Sequence, residues 1–448
     1  MRRTRMPCLR KLPCSIQAAC LALLLLIGAA ATGPAQAGEV PGTLHVLLDT
    51  IWTTPLAKDP EQPLFNLGFS PGAWAEAPGG AVMLLGSMNS HRRSERLLLA
   101  NADRAGPEAG IRLSFPESKP QGLQRPQALF WGTLEPNLGR GMASIAIGTD
   151  GGIWLGGWIN QFMDVASSPH SDAYLARLDP AGTAVWDRAY SDNSELSISS
   201  IAVVASGGAA VAGHGRDTSW LARIGPDGAR LAEWRIGNGK GVAVAPLRDG
   251  HVIVAGFADG GVTTAGPRRQ AAQAAVQAGT YRDDVLMWML DQTGQPRGPV
   301  LVREGISQDS SLIGPGAGGG TVAVAATGDT AYVVTNWLHV TRPAETEVAR
   351  IGRDGAVLWR QRLPETVGPM GANRLQTCTP ALAALPDGDA LVACALGGQV
   401  QLHRLDGRTG RRSFASLAPP ACQQGGYGAR ASLLARRDGT VFVSGSGL

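Results

Sequence analysis

The chain repeats itself, and an internal repeat fixes architecture before any local reading does. The segments "AYLARLDPAGTAVWDR" from Ala173, "SWLARIGPDGARLAEWR" from Ser219 and "TEVARIGRDGAVLWRQR" from Thr346 follow one plan. An apolar strand leads to a turn with Gly182, Gly228 or Gly355, and a second strand then carries Trp186, Trp234 or Trp359. Looser copies begin at Arg96, Val285 and Val400. Each pair follows another hairpin, turning at sites such as Asp150-Gly151, Gly207-Gly208, Asp249-Gly250 or Asp387-Gly388. Asp-Gly between short apolar runs is a strong hairpin signal, because the turn needs positive φ. Two hairpins in series make a four-stranded antiparallel sheet, the blade of a β-propeller.

First hairpins turn near Gly79, Asp150, Gly207, Asp249, Gly328, Asp387 and Asp438. The expectation is therefore an all-β, seven-bladed β-propeller, with six or eight blades still compatible because residues 257–320 are irregular and the first copy is weak. The sequence stops just after the seventh first hairpin, two strands short of a blade. The strands from Leu44, "LHVLLDTIWTTPL", are expected to complete that C-terminal blade and close the ring, which removes open sheet edges. Trp186, Trp234 and Trp359 are expected between adjacent blades. No charged or Pro/Ser-rich linker divides residues 38–448, which are read as one domain.

Residues 1–37 have the layout of a signal peptide. Arg2, Arg3, Arg5, Arg10 and Lys11 precede an apolar run of about fourteen residues from Ala18 to Ala31, then Gly33-Pro34 and Ala35-Gln36-Ala37. The run is shorter than the roughly twenty residues a bilayer-spanning helix needs. Cleavage near Ala37 would make the protein periplasmic or secreted, with no membrane span. It would also lower the formal charge from +4 to −1, since all five lost charges are basic. The remaining arginines are scattered among acids, so the basic face of a nucleic-acid binder is missing.

Three of the six cysteines fall in that leader. Cys378, Cys394 and Cys422 remain, and an oxidising compartment permits one disulfide among them, with the pairing open.

The strand-turn-strand unit running from Leu178-Asp179 through Gly182 to Trp186 resembles the tryptophan-docking repeats of pyrroloquinoline-quinone-like propellers. It is similar also to repeats of secreted bacterial propeller proteins. The resemblance covers most of residues 44–448, and it is a packing signature shared by enzymes and scaffolds. A quinoprotein oxidoreductase would imply pyrroloquinoline quinone with calcium and, in many members, an adjacent cysteine pair. This chain has no Cys-Cys, and no calcium-ligand set or catalytic acid is assigned, so no cofactor and no metal is expected.

Motifs for chemistry are weak. Gly68-Phe69-Ser70-Pro71-Gly72 has the spacing of a hydrolase nucleophile elbow, but a hairpin rather than a helix follows it. Gly314 to Gly319 opens an apolar strand segment, with no helix to hold a phosphate. The histidines are scattered, and none pairs at metal-binding spacing. Asp164, His170 and Asp172 share one loop. The ends of the second strands align as Ser87, Trp158, His214, Phe257, Trp337, Leu396 and Ser446, at one height around the ring. Trp158, His214, Phe257 and Trp337, with Asp164 and His170, are therefore the candidate ligand-binding face, since exposed aromatics suit sugars or peptide side chains. Long connections at 159–171, 258–283 and 338–345 decorate that face. The function expected is ligand binding or a protein-interaction scaffold, with a protein or glycan partner and a monomeric state. A quinoprotein oxidoreductase is the first alternative. The second, a polysaccharide lyase or glycosidase, would need converging acids drawn from Asp164, Asp172, Asp217 and Asp259.

Overall fold

Turn chemistry sets the frame. Gly151, Gly207, Gly228, Gly250 and Gly355 all adopt φ between 77° and 85°, where a side chain is strained and glycine is not. In four of the five an aspartate just before the glycine ties the turn: Asp150 Oδ1 accepts the Gly152 N–H at 2.9 Å, Asp227 that of Ala229 and Asp354 that of Ala356, each at 3.0 Å, and Asp249 that of His251 at 3.1 Å; Ser206 precedes Gly207. The hydrophobic strands between these turns have nowhere to go but antiparallel pairs.

The computed structural model describes residues 21–26, 47–53, 58–59, 62–66, 68–90, 93–101, 111–112, 140–161, 170–191, 196–215, 219–236, 242–260, 282–303, 321–337, 345–363, 380–396, 399–417 and 430–446. The fold they build is all-β. The first sheet takes Gly68–Glu76, Val82–Ser90, Arg93–Asn101 and Ile111–Arg112; the second Arg140–Ile147, Ile153–Gln161, His170–Leu178 and Ala184–Tyr190. The third is Ser197–Val203, Ala209–His214, Ser219–Ile224 and Arg230–Ile236; the fourth Val242–Pro246, Val252–Gly260, Arg282–Leu290 and Pro296–Arg303. Thr321–Thr327, Thr330–Trp337, Glu345–Ile351 and Val357–Leu363 make the fifth, and Ala381–Ala384, Ala390–Leu396, Gln399–Leu405 and Arg412–Leu417 the sixth. Each is a four-stranded antiparallel meander.

A further sheet joins Arg430–Ala435 and Thr440–Ser446 to two N-terminal strands. Leu47–Thr53 is its outer strand, as the sequence led one to expect. The strand beside Thr440–Ser446 is Leu21–Leu26, with Leu23 opposite Val443 and Leu26 opposite Thr440, and not a second strand from the Leu44 region. These residues lie in the run read as a leader. Lys58–Asp59 and Gln62–Asn66 form a separate two-stranded ribbon.

Packing is between sheets. The first strands of the sheets neighbour one another in chain order, and Arg430–Ala435 lies beside Gly68–Glu76. Leu196, Ile198 and Ile201 of the third sheet pack on Trp154 and Leu175 of the second. Val244, Val254 and Leu290 meet Ala210 and Leu221, while Ile253, Phe257 and Met287 meet Val333 and Ile351. Trp74 and Phe442 approach to 5.6 Å between ring centroids, and Arg436 stands 3.8 Å from Glu76 across the same joint. Burying each large apolar side chain contributes about 1.5–3 kcal/mol, so stability resides in these joints.

The repeat tryptophans occupy the joints. Trp186 lies edge-on to Trp154, with centroids 5.3 Å apart, and donates its indole N–H to the Pro226 carbonyl at 2.9 Å. Trp359 donates to the Gly407 carbonyl, also at 2.9 Å, while Trp234 packs against the core of the third and fourth sheets.

Candidate ligand-binding cleft

The strand-end face is built as follows. Trp158, His214 and Phe257 stand opposite Ala173, Ser219 and Val285 on their third strands, which is one register. The residue opposite Thr346 is Asn336, so Trp337 lies one position further on, opposite Glu345. That one-residue offset places Trp337 outside the register that the other three share. Phe257 is fully buried, in the core between the fourth and fifth sheets. Trp158 is half-buried, and His214 is exposed. The protein around His214 still lowers its pKa below the usual histidine value, through desolvation. Among the described side chains, the face therefore offers the exposed His214 ring and the half-buried Trp158 ring.

Of the other candidates, His170 opens a strand opposite Gln161, and Asp172 is buried beside it. Asp259 pairs with Asp283 in the fourth sheet. Asp164 and Asp217 lie outside the described residues, as do Cys378, Cys422 and residues 314–319. Ser70 sits inside the strand Gly68–Glu76, opposite Ser87, so the elbow geometry is absent. Among the described residues no group of three His, Cys, Asp or Glu could hold a metal ion. Cys394 is buried and disulfide-bonded.

The opposite end, where the hairpins turn, carries a repeated polar device that the sequence reading missed. At one register of the third strand stand Arg177, Arg223, Arg350 and Arg404. Arg177 donates to Asp150 at 2.5 Å and to the Pro226 carbonyl of the next sheet at 3.0 Å. Arg223 reaches Ser206, Arg350 the Gly407 carbonyl, and Arg404 both Asp387 and Asp389. Each arginine thus ties the first turn of its own sheet or the second turn of the next.

The fourth sheet breaks this pattern twice. Met289 holds the arginine position, and its partner across the outer strand, where Trp186 and Trp359 stand opposite arginine, is Arg297. Arg297 points outward, 3.9 Å from Asp291 of its own turn. The outer strand also bulges opposite Trp288, at Gly298-Pro299, a cis peptide.

A cleft of about 820 Å³ results between the fourth and fifth sheets. Met287, Met289, Val300 and Leu358 form its apolar walls, and the turn Gly352–Gly355 one end. Asp249, His251 and Asp329 line the other side. The volume falls within the roughly 300–1,000 Å³ of small-ligand sites. Asp249, which has no arginine from its own sheet, is 2.9 Å from His251 Nδ1 and 3.2 Å from Arg353. Its burial opposes ionisation more than any other single influence, yet the His251 backbone N–H, the His251 ring and Arg353 together hold its pKa below the usual carboxylate value. Asp329 and Asp354 on the rim have no ion-pair partner among the described residues. The signal was present in the sequence: "MWMLDQTGQPRGPV" lacks both the arginine and the tryptophan of its sister copies.

Stacked four-stranded meanders define a repeat protein of the β-propeller class. No sequence family and no curated protein matches the chain. Among solved structures it is similar to the Dos1 propeller, at 9% identity with a TM-score of 0.45, covering 84% of this chain and 78% of that one. The Pan2 WD40 domain of Neurospora crassa matches at 11% identity and a TM-score of 0.36, over 69% of this chain and 90% of the other. The β-propeller domain of the Trilobed protease from Pyrococcus furiosus, of open velcro topology, matches at 9% and 0.39, over 82% and 91%. None of the described elements is a helix long and apolar enough to cross a membrane.

Proposed function

We propose that the chain is an exported, seven-bladed propeller that works as a binding scaffold, with the cleft between its fourth and fifth blades as the ligand site. The observation that carries this reading is the coincidence of the cleft with a blade that has Met289 and Arg297 where the second and fifth sheets set an arginine opposite a tryptophan. A repeat that loses two directional contacts at one joint loses stability there, so a ligand is the natural reason for keeping the gap. Ring closure is supported by the contact of Arg430–Ala435 with Gly68–Glu76 and by the Arg436–Glu76 pair. Export would remove Leu21–Leu26, leaving the segment from Gly38 onward to finish the last blade.

The test uses the leader-free protein. Its melting temperature and amide exchange are measured with unstructured peptides, with oligosaccharides, and with pyrroloquinoline quinone plus calcium. A ligand at a hundredfold excess over its Kd adds about 2.7 kcal/mol of stability. The reading predicts such a gain from a peptide or a sugar, with protection confined to residues 287–300 and 352–358. Protection around Trp158 and His214 would move the site to the other end. A gain seen only with quinone and calcium would make the protein an oxidoreductase. Mass spectrometry of the periplasmic protein checks export, with Gly38 as the expected first residue.

A further inference from the structure

The sister joints show what this cleft is shaped for. Where the second sheet meets the third, the Gly228 backbone is covered by Trp186: a Cβ built there would lie 3.1 Å from the Trp186 ring. Where the fifth meets the sixth, a Cβ at Gly410 would lie 3.1 Å from the Trp359 ring. Between the third and fourth sheets the stem of Arg223 covers Gly294, at 3.4 Å. At Gly355, the matching glycine of the fifth sheet, the three nearest atoms are methyls, of Met287 at 3.4 Å and of Val300 and Met289 at 3.9 and 4.0 Å, with no ring among them. In two of these joints the carbonyl of the second turn residue, Pro226 or Gly407, accepts from both an indole N–H and an arginine. Arg353 is that residue in the fifth sheet, and both of its counterpart donors are replaced, by Arg297 and Met289.

We infer that the cleft takes an indole ring from outside, the side chain of a tryptophan on a partner polypeptide, in the place that Trp186 and Trp359 fill at their own joints. The inference rests on the reading of this cleft as the ligand site. The flat glycine turn provides the floor and the Arg353 carbonyl an acceptor for the indole N–H. Met287 and Met289 provide mobile thioethers, which favour aromatic contacts and adapt to a guest ring. A polypeptide source fits better than a free indole because the apolar surface continues past the slot. Val300 and Leu301 are 36% and 45% exposed, and among the described residues of the second, third, fifth and sixth sheets no exposed apolar residue holds their registers, whereas exposed Leu358 has counterparts in Val185 and Leu231. Asp249, Asp329 and Asp354 outnumber Arg297 and Arg353 in the lining, so the cleft carries an excess negative charge suited to a lysine or arginine next to the tryptophan.

The experiment follows the methionine methyl resonances of the leader-free protein by NMR, assigned with Met287→Leu and Met289→Leu. The probe is the peptide Gly-Ser-Lys-Trp-Ser-Gly, compared with its Trp→Ala and Lys→Glu versions and with N-acetyl-tryptophanamide. Ring-current shifts of the Met287 and Met289 methyls are expected with the tryptophan peptide, saturating, absent with the alanine version and at least tenfold weaker with the glutamate version. The amide should bind at least tenfold more weakly than the lysine peptide. Arg297→Trp should place the chain's own indole in the slot, shift the same methyls without ligand, raise the melting temperature and abolish peptide binding. Unmoved Met287 and Met289 methyls at millimolar peptide overturn the inference. Equal affinity for amide and peptide overturns its polypeptide half. A glycan that protects residues 287–300 from exchange while tryptophan does nothing would sink the indole and leave the binding reading standing. Loss of both would sink the two together.

Discussion

Trp359 reaches across from the fifth sheet to donate its indole N–H to the Gly407 carbonyl of the sixth, 2.9 Å away and 48 residues further along the chain. Trp186 makes the matching bond to Pro226. Each ring couples one sheet to the next through apolar contact and one directed hydrogen bond. Trp359→Ala and Trp186→Ala are each expected to cost about 3 kcal/mol, from cavity formation and the loss of one of the two hydrogen bonds to each carbonyl, the arginine bond remaining. The two sites share no partner, so the double variant should lose close to the sum. Urea titration of the three variants checks this; a double variant no worse than either single one would show that the joints are not separate.

Close approach of backbones makes a second prediction. A Cβ on Gly213 would lie 1.6 Å from the Ser197 carbonyl oxygen, which belongs to the paired strand and cannot move alone. Gly213→Ala should therefore cost more than about 4 kcal/mol. Gly439 has φ of 86° but nothing within 4 Å, so Gly439→Ala should cost only the conformational strain, about 1–2 kcal/mol. Melting temperatures of the two variants would separate clash from strain.

Acid should weaken the protein in a defined window. His403 is buried, with Phe414 at 5.0 Å and Arg412 near its Nδ1, and burial first and Arg412 second push its pKa down to about 4. A histidine with a folded pKa below its unfolded value of about 6.5 contributes full stability above 6.5. That stability falls by about 1.4 kcal/mol per pH unit as pH drops toward 4, reaching about 3 kcal/mol in all. His214 acts in the same direction. The turn aspartates Asp150, Asp406 and Asp438 have lowered pKa values, so their loss begins only below about 4. His403→Leu should flatten the decline between pH 6.5 and 4.5 without removing it, as followed by thermal melts. An unchanged slope would mean that the folded protein does not depress the His403 pKa.

Cys394 is disulfide-bonded at the centre of the sixth sheet's second strand. Reduction should lower stability by about 2–4 kcal/mol. Cys394→Ser should behave like the reduced protein and show no further response to reductant; thiol counting on the single-serine variants of Cys378 and Cys422 would identify the partner.

Much of this architecture could be read from the sequence because its signals are local. Alternating apolar residues and Asp-Gly turns specify hairpins within about twenty residues of chain, and the tryptophans announced the joints. Register was harder. The hairpin at Gly328 turns on two residues between Thr327 and Thr330, where Ile147 pairs Ile153 and Val203 pairs Ala209, so counting back from the strand's end put Trp337 where Asn336 belongs. Burial of Phe257 was not legible, because it depends on Val333 and Ile351 nearly a hundred residues later. The cleft was written in the sequence only as what the Val285 copy omits, and an omission carries meaning only once the sister copies reveal what the missing arginine and tryptophan hold.

The joint at Gly355 has a mechanical consequence. At the second–third, third–fourth and fifth–sixth joints an indole or an arginine stem pins one sheet to the next, but here the seam is closed by methionine methyls and by Arg353, a largely exposed cation, on Asp249. Thioether contacts have no preferred direction and slide at little cost. A row of rigid plates joined this way has one soft hinge, and heating or stretching should split it first between the fourth and fifth sheets, so that whatever fills the slot also latches the molecule shut.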